Sequence, residues 1–177
     1  MHRFTIDLSD VDRGVYESLD LRVAQHPSES ERRMITRVIA YCLQHEEGIE
    51  FGRGLSTSED PALCVKNLRG EMTLWVDVGT PQPERLHRAM KSVGRVAVYT
   101  SEDPSTWLRD VERATVHKKE SLEIWSLPDE LVETIEAHLS RTTKMSVTVS
   151  DGRVYVEVAG YAVDAAPVRR SPAPLAG

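Results

Sequence analysis

The segment Met72–Val78 constrains the fold more than any other part of this sequence. It is apolar almost throughout, a pattern typical of a β-strand that is covered on both faces. Gly79 and Pro81 interrupt the strand, and residues 83–93 then carry apolar side chains at helical spacing. A buried strand followed by an amphipathic helix indicates a sheet with helices packed against it.

The remaining segments continue this alternation of strands and helices. Ser28 and Glu31 form a capping-box pattern that predicts the start of a helix, and Gly48 predicts its end. The turn residues Asp151 and Gly152 predict a type I′ hairpin. Further strands are predicted at 3–8, 16–23, 49–53, 62–65, 95–99, 122–125, 145–149 and 154–158, and further helices at 104–114 and 129–139. The predicted fold class is α/β (α+β), a mixed β-sheet flanked by helices with β-hairpins at both ends of the chain.

Length and composition predict one globular domain outside a membrane. The chain has 177 residues, which suits a single domain over 1–164, and residues 165–177 are rich in Pro and Ala and predicted to be a disordered tail. No apolar run approaches the ~20 residues that span a bilayer, and no signal peptide is recognisable. Cys42 and Cys64 form no CxxC or Cys/His cluster, so we expect reduced thiols and a cytoplasmic location.

The charge balance and the missing motifs narrow the possible functions. The 22 Lys and Arg residues against 28 Asp and Glu residues give a net charge of -6. This balance argues against a protein that is covered by nucleic acid through bulk charge, although a local basic groove stays possible. The sequence contains no glycine-rich phosphate loop, no GxSxG nucleophile elbow and no HExxH zinc motif.

Asp77 is the most conspicuous candidate for chemistry because it lies inside the most apolar strand. A carboxylate in that position is costly unless it is hydrogen-bonded, paired or bound to a cation. It is either a functional carboxylate or a strand-end Asp that is solvated or paired with a nearby arginine. Asp60, before Pro61, alone predicts only a turn, but together with Asp77 it could hold Mg²⁺ through oxygen ligands.

Four further charged residues have both a structural and a functional interpretation. Glu29 is expected in the first turn of the first long helix, where it favours the helix dipole. Arg53 shares a strand face with apolar neighbours and either extends its charge to water or pairs with an acid. Arg85 and Arg88 lie on the helix that follows Asp77, where a solvated helix face is expected.

An ordered set of short segments resembles the bacterial YaeQ proteins. These segments are His26-Pro27-Ser28-Glu29, Arg33-Met34, Arg53-Gly54-Leu55, Asp60-Pro61, Leu74-Trp75-Val76-Asp77-Val78-Gly79 and Pro81. The resemblance runs from the Asp-Val-Asp-Arg of residues 10–13 to the final hairpin. It implies a restriction-endonuclease-like fold, which is a variant of the PD-(D/E)xK nuclease fold. The biochemical activity of the YaeQ family is uncharacterised, so the resemblance implies a fold more firmly than a function.

The resemblance also implies roles for individual residues. Asp77 would be the second acid of the nuclease motif, Asp60 the first and Glu29 the helix acid. Asp60 and Asp77 would bind Mg²⁺, for which Mn²⁺ could substitute. The position of the motif lysine falls on Gly79, which has no side chain. Arg53 or Arg88 would then have to supply the cation.

Two functions follow as expectations. The first is a divergent Mg²⁺-dependent phosphodiesterase or nuclease with Glu29, Asp60, Asp77 and Arg53 or Arg88 in its site. The alternative is a non-catalytic nuclease-fold module that binds nucleic acid or a protein partner, which the missing lysine and the acidic charge favour.

Overall fold

The computed structural model describes residues 1–53 and 59–172, and within these ranges the chain forms eleven strands and four α-helices. The strands are β1 (His2–Asp10), β2 (Val15–Val23), β3 (Ile49–Phe51), β4 (Leu63–Lys66), β5 (Met72–Val78), β6 (Val96–Thr100), β7 (Glu123–Ser126), β8 (Thr142–Ser150), β9 (Arg153–Val158), β10 (Tyr161–Ala165) and β11 (Val168–Arg170). The helices are α1 (Glu31–Leu43), α2 (Pro83–Ser92), α3 (Ser105–Arg113) and α4 (Asp129–Ala137). None of these helices is long and apolar enough to cross a membrane.

The chain divides into two compact units, each with its own sheet. Unit 1 comprises Met1–His45 and Leu127–Pro167, and unit 2 comprises Glu46–Ser126 and Val168–Gly177. The predicted mixed architecture of strands and helices is confirmed, but two mixed sheets replace the expected single sheet. The alternation of elements along a sequence does not say which strands pair, and the parallel pairing of β1 with β8 creates a sheet of its own.

Unit 1 is a five-stranded sheet in the order β10-β9-β8-β1-β2 with the helices α1 and α4. Strands β1 and β8 run parallel, and the other neighbours run antiparallel. The β1–β2 and β8–β9 hairpins confirm the prediction of hairpins at both ends. Alternate residues of β1 are fully buried, among them Phe4, Ile6 and Leu8, as expected for a strand with one face on the core.

Asp12 fixes the turn of the β8–β9 hairpin. Its two carboxylate oxygens accept hydrogen bonds from the backbone N–H groups of Asp151 and Gly152, at 2.7 and 2.8 Å. Both turn residues have positive φ, 52° and 73°, as a type I′ turn requires. The turn that Asp151 and Gly152 predict is therefore held by a second loop.

Arg13 joins the β1–β2 loop to the end of α1. Its guanidinium pairs with the buried carboxylate of Asp10 at 2.7 Å and donates to the carbonyl oxygens of Cys42 and His45. These carbonyls lie at the C-terminal end of the helix, where backbone acceptors lack helical partners and a cation is favourable.

Helix α1 begins and ends at different residues from those predicted. Ser30, not Ser28, is the N-cap, and its side chain accepts from the N–H of Arg33 at 3.1 Å. The hydroxyl of Ser28 is instead bonded to the ring of His26. The helix ends at Leu43, and Gly48 lies in the following turn with φ 90°, where an added Cβ would lie 2.2 Å from the carbonyl oxygen of Lys66.

Unit 2 is a six-stranded sheet in the order β11-β7-β6-β5-β4-β3. Strands β5, β6 and β7 are parallel, whereas β3, β4 and β11 join antiparallel. Helices α2 and α3 share one apolar cluster with β6 and β7. The predicted strand over Met72–Val78 is confirmed residue by residue as β5, which lies inside the sheet.

Part of the predicted tail is a strand. Residues 168–170 form β11, which pairs with β7. The guanidinium of Arg169 lies over the Trp125 ring at 5.4 Å, and Arg170 donates to the hydroxyl of Ser126. These side-chain contacts stabilise the pairing, and the Pro- and Ala-rich composition gave no sign of them. Residues 173–177 lie outside the described part of the chain.

Candidate functional site

Asp77 near the C-terminal end of β5 is a buried carboxylate with a full charge partner. The residue is 4% exposed and lies between the buried Val76 and Val78. Its Oδ2 accepts from Nε of Arg85 at 2.8 Å, and its Oδ1 accepts from Nη2 of the same guanidinium at 3.0 Å. This bidentate geometry compensates the charge that the apolar strand would otherwise leave isolated.

Arg85 connects three features of unit 2. It lies in the first turn of α2, which Pro83 begins, and helix side chains lean toward the N-terminus of their helix. Besides Asp77 it contacts the ring of Trp75, 5.0 Å from the guanidinium carbon, and it donates to the main-chain carbonyl of Asp60. Trp75 and Asp77 are two residues apart and therefore lie on one face of β5. The guanidinium is held by a carboxylate, a carbonyl and an aromatic ring.

Asp60 meets this cluster through its backbone rather than its carboxylate. The carboxylate lies 3.8 Å from Nε of Arg53, and the two side chains are 34% and 85% exposed. An ion pair with so much solvent contact contributes little to stability. The structure thus brings Asp60 and Asp77 to one arginine, but in different chemical roles. The predicted segment at Gly54 and Leu55 lies outside the described residues.

Glu29 belongs to unit 1 and lies before α1 rather than in its first turn, because Ser30 caps the helix. Its carboxylate accepts from Nε of Arg37 at 2.8 Å and from Nη2 at 2.6 Å. The side chains of Glu29 and Arg37 are 1% and 8% exposed, and Arg37 also donates to the carbonyl of Ala24. Glu29 is therefore half of a buried ion pair.

Arg88 is exposed on α2 and forms no ion pair with another residue in the described ranges. Arg85, one turn earlier, reaches the carboxylate instead, so the prediction of a solvated Arg85 is wrong. The sequence spacing did not show which of the two arginines reaches Asp77, since both lie on the helix that follows the strand. The useful signal was the position of Arg85 two residues after Pro83, in the first turn and nearest the strand end.

The residues around Asp77 do not fit a resident Mg²⁺ or Mn²⁺ ion in this arrangement. Such ions need oxygen ligands with available lone pairs facing one point. Both oxygens of Asp77 face a guanidinium, and Gly79 adds no side chain. In the described ranges, His, Cys, Asp and Glu residues form no group of three that could hold a metal ion. The cation beside Asp77 is the arginine.

The two cysteines are poor nucleophiles. Burial raises the pKa of the Cys42 thiol to about 12. Cys64 pairs with Trp75 across β4 and β5, and burial, reinforced by the charge of Glu50, raises the pKa of this thiol to about 11. Both thiols are protonated near neutral pH, and the thiolate is the reactive form. Cysteine-based catalysis is therefore disfavoured at both positions.

The excess of acidic residues is concentrated in unit 1. Unit 1 contains nine Lys and Arg residues against fourteen Asp and Glu, whereas unit 2 contains thirteen against fourteen. Exposed cations of unit 2 that form no ion pair with another described residue are Arg69, Arg88, Lys91, Arg109, Arg113, Lys118 and Arg170. The excess of negative charge therefore argues against an anionic partner mainly for unit 1.

Comparison with known proteins gives a consistent match over nearly the whole chain. The family model described as YaeQ protein matches residues 1–167. A relative named uncharacterized protein YaeQ from Escherichia coli (strain K12) is 28% identical over 158 residues, 88% of this chain and 87% of the relative. The protein of the same name from Salmonella typhi is 26% identical over the same shares of the two chains.

Solved structures agree with these sequence matches. The crystal structure of the YaeQ protein from Pseudomonas syringae superposes with a TM-score of 0.87 at 30% identity, covering 95% of this chain and 93% of that one. The YaeQ structure from Xanthomonas axonopodis pv. citri gives 0.86 at 30% identity, covering 96% and 97%.

Proposed function

This chain belongs to the YaeQ family, and we propose that it is a nuclease-like module that binds nucleic acid without metal-dependent cleavage at Asp77. The observation that carries the proposal is the bidentate pair between Asp77 and Arg85, which engages both carboxylate oxygens. The proposal corresponds to the second of the two functions expected from the sequence.

The absence of hydrolysis follows from the chemistry of the cluster. In the PD-(D/E)xK proteins that the sequence resembles, two acids hold Mg²⁺ and a lysine helps to activate water. Here the lysine position is Gly79, and a guanidinium such as that of Arg85 offers no lone pair that could accept a proton from water. Asp77 and Arg85 satisfy each other and leave no base beside a bound phosphodiester.

Nucleic acid is the favoured partner because unit 2 combines a net charge near zero with exposed cations that form no ion pair with another described residue. Arg88 and Lys91 lie on the exposed part of α2, one turn apart, and neither pairs with another described residue. Cations of this kind bind phosphate groups by displacing counterions, which makes affinity depend steeply on salt. The two unpaired cysteines are consistent with the reducing cytoplasm as the compartment of this function.

Fluorescence anisotropy with labelled single-stranded DNA, double-stranded DNA and RNA tests the binding. We expect wild type to bind at least one of them, with affinity falling as salt rises from 50 to 200 mM. The double variant R88Q/K91Q should bind several-fold more weakly and show a shallower salt slope, by up to about one unit per lost phosphate contact. Lys144→Gln, an exposed and unpaired lysine of unit 1, is the matched control and should bind as wild type does.

The same titrations can contradict the proposal. Wild type that binds no nucleic acid at 50 mM salt would refute it and favour a protein partner. Equal binding by R88Q/K91Q and wild type would remove α2 as the contact surface.

A Mg²⁺-dependent phosphodiesterase is the second candidate, and one observation favours it. Arg85 places a cation beside Asp77, in the role that a motif lysine would have, and also binds the main chain of Asp60. Cleavage would require Asp77 to release Arg85. Incubation of DNA and RNA with Mg²⁺ or Mn²⁺ decides the matter, because cleavage by wild type that Asp77→Asn abolishes would establish this second function.

A further inference from the structure

Strand β2 is an unusually long edge strand. The two sheets of the described residues have four edge strands, β2 and β10 in unit 1 and β3 and β11 in unit 2. Strand β2 has nine residues, whereas β10 has five and β3 and β11 have three each. Short edge strands are one way in which proteins avoid pairing with other chains, and β2 lacks this protection.

The sequence of β2 carries the charged residues Glu17, Asp20 and Arg22 but lacks several other protective features. Val-Tyr-Glu-Ser-Leu-Asp-Leu-Arg-Val contains no proline, glycine or lysine, and its register with β1 runs unbroken over nine pairs without a bulge. Its outer edge receives no backbone hydrogen bond from another segment of the described ranges. Tyr16, Ser18, Asp20 and Arg22 are all exposed on the face opposite the core. The outer edge is therefore regular and accessible.

We propose that β2 pairs antiparallel with β2 of a second copy of this chain and so forms a two-fold symmetric dimer with a continuous sheet. A second copy is the expected partner because the strand is complementary to itself. The register that pairs all nine residues is centred on Leu19. In this register Tyr16 faces Arg22 of the second copy, and Ser18 faces Asp20 of the second copy.

Each of these opposite pairs is favourable or neutral. Tyr16 offers an aromatic face to Arg22, which forms no ion pair with another described residue, in a cation–π arrangement. The pair of Ser18 with Asp20 is neutral, because the hydroxyl of Ser18 already donates to Asp7 and the carboxylate of Asp20 already pairs with Arg3 within the same chain. Val15 faces Val23. A shift of two residues toward the C-terminal end would instead place two Asp20 carboxylates, each paired with Arg3 of its own chain, at the two-fold axis, and would separate Tyr16 from Arg22. The pairing of Tyr16 with Arg22 thus favours the full register over that shift.

The expected dimer is weak and dependent on concentration. Nine residues at about 3.4 Å each give an interface about 30 Å long and one strand wide. This is smaller than the interfaces that hold permanent dimers. We expect a dimer that dissociates in the micromolar range.

Sedimentation equilibrium of the full chain tests the dimer and its register. Ser18→Glu places a carboxylate opposite Asp20 twice by symmetry and should weaken the dimer roughly two- to thirty-fold. Ser18→Lys should tighten the dimer by a smaller factor, because Arg3 already pairs with Asp20. Tyr155→Lys and Tyr155→Glu, at an exposed position of β9, are controls and should leave the dissociation constant unchanged. Far-UV circular dichroism identifies any variant that has lost its fold.

Disulfide trapping gives an independent measurement of the same register. Under mild oxidation the double variant S18C/D20C should form a covalent dimer, and Ser18→Cys alone should not, because residue 18 faces residue 20. A chain that is monomeric up to about 1 mM, a dimer that ignores both substitutions of Ser18, or a dimer that S18C/D20C fails to trap would each overturn the proposal.

Discussion

Arg85→Met removes the charge partner of Asp77 while keeping most of the length of the side chain. The two side chains are 20% and 5% exposed, so the carboxylate would stay in a poorly hydrated position without compensation. Breaking a buried ion pair from one side costs about 3–5 kcal/mol. Since Arg85 is partly exposed, water can replace some of its contacts, and we expect a loss of about 2–3 kcal/mol in the free energy of unfolding.

The measurement is urea unfolding followed by tryptophan fluorescence, because Trp75 lies against Arg85. Arg88→Met is the matched control, an exposed arginine on the same helix, and should change stability by less than about 0.5 kcal/mol. The double variant D77N/R85M should lose less than the sum of its single variants, with a coupling of about 1–3 kcal/mol. Equal losses for Arg85→Met and Arg88→Met, or strictly additive losses in the cycle, would refute the ion pair as a stabilising element.

Three further outcomes are expected from other parts of the chain. Glu29→Gln leaves Arg37 buried without a counter-charge and should lower the free energy of unfolding in urea by about 3 kcal/mol. No measurable loss would show that the pair is solvated. Burial lowers the pKa of His45, so the folded state resists protonation of this side chain and wild type should lose stability as pH falls through 6.5. In thermal melts, His45→Gln should lose less stability than wild type between pH 7 and pH 5. Cys42 and Cys64 should react with iodoacetamide at pH 8 only after unfolding, because burial raises the pKa of both thiols, and rapid labelling of the folded chain would contradict this.

The elements with strong periodicity were predictable from the sequence. Strand β5 was predicted at its exact bounds because a run of apolar residues between two turn signals has few other solutions. The β8–β9 hairpin was predictable because Asp151 and Gly152 tolerate the positive φ of the turn. Local signals of this kind depend only on neighbours in the chain.

The features that depend on contacts between distant segments could not be predicted in the same way. Ser28 and Ser30 both suit an N-cap, and only the bond of Ser28 to His26 separates them. Strand β11 exists because it pairs with β7, some forty residues earlier in the chain. The candidate site shows the same limit. Asp77 was singled out as a buried charge that needs a partner, but the identity of that partner, Arg85 rather than Arg88, depends on how α2 packs on the sheet.

A metal titration tests most directly whether the carboxylate of Asp77 is committed to Arg85. Electron paramagnetic resonance counts free Mn²⁺ in the presence of wild type, Asp77→Asn and the control Arg88→Met. The bidentate pair predicts that all three proteins bind the same amount of Mn²⁺ up to millimolar concentration. One site per chain that is present in wild type and Arg88→Met but lost in Asp77→Asn would contradict the account and favour the metal-dependent enzyme.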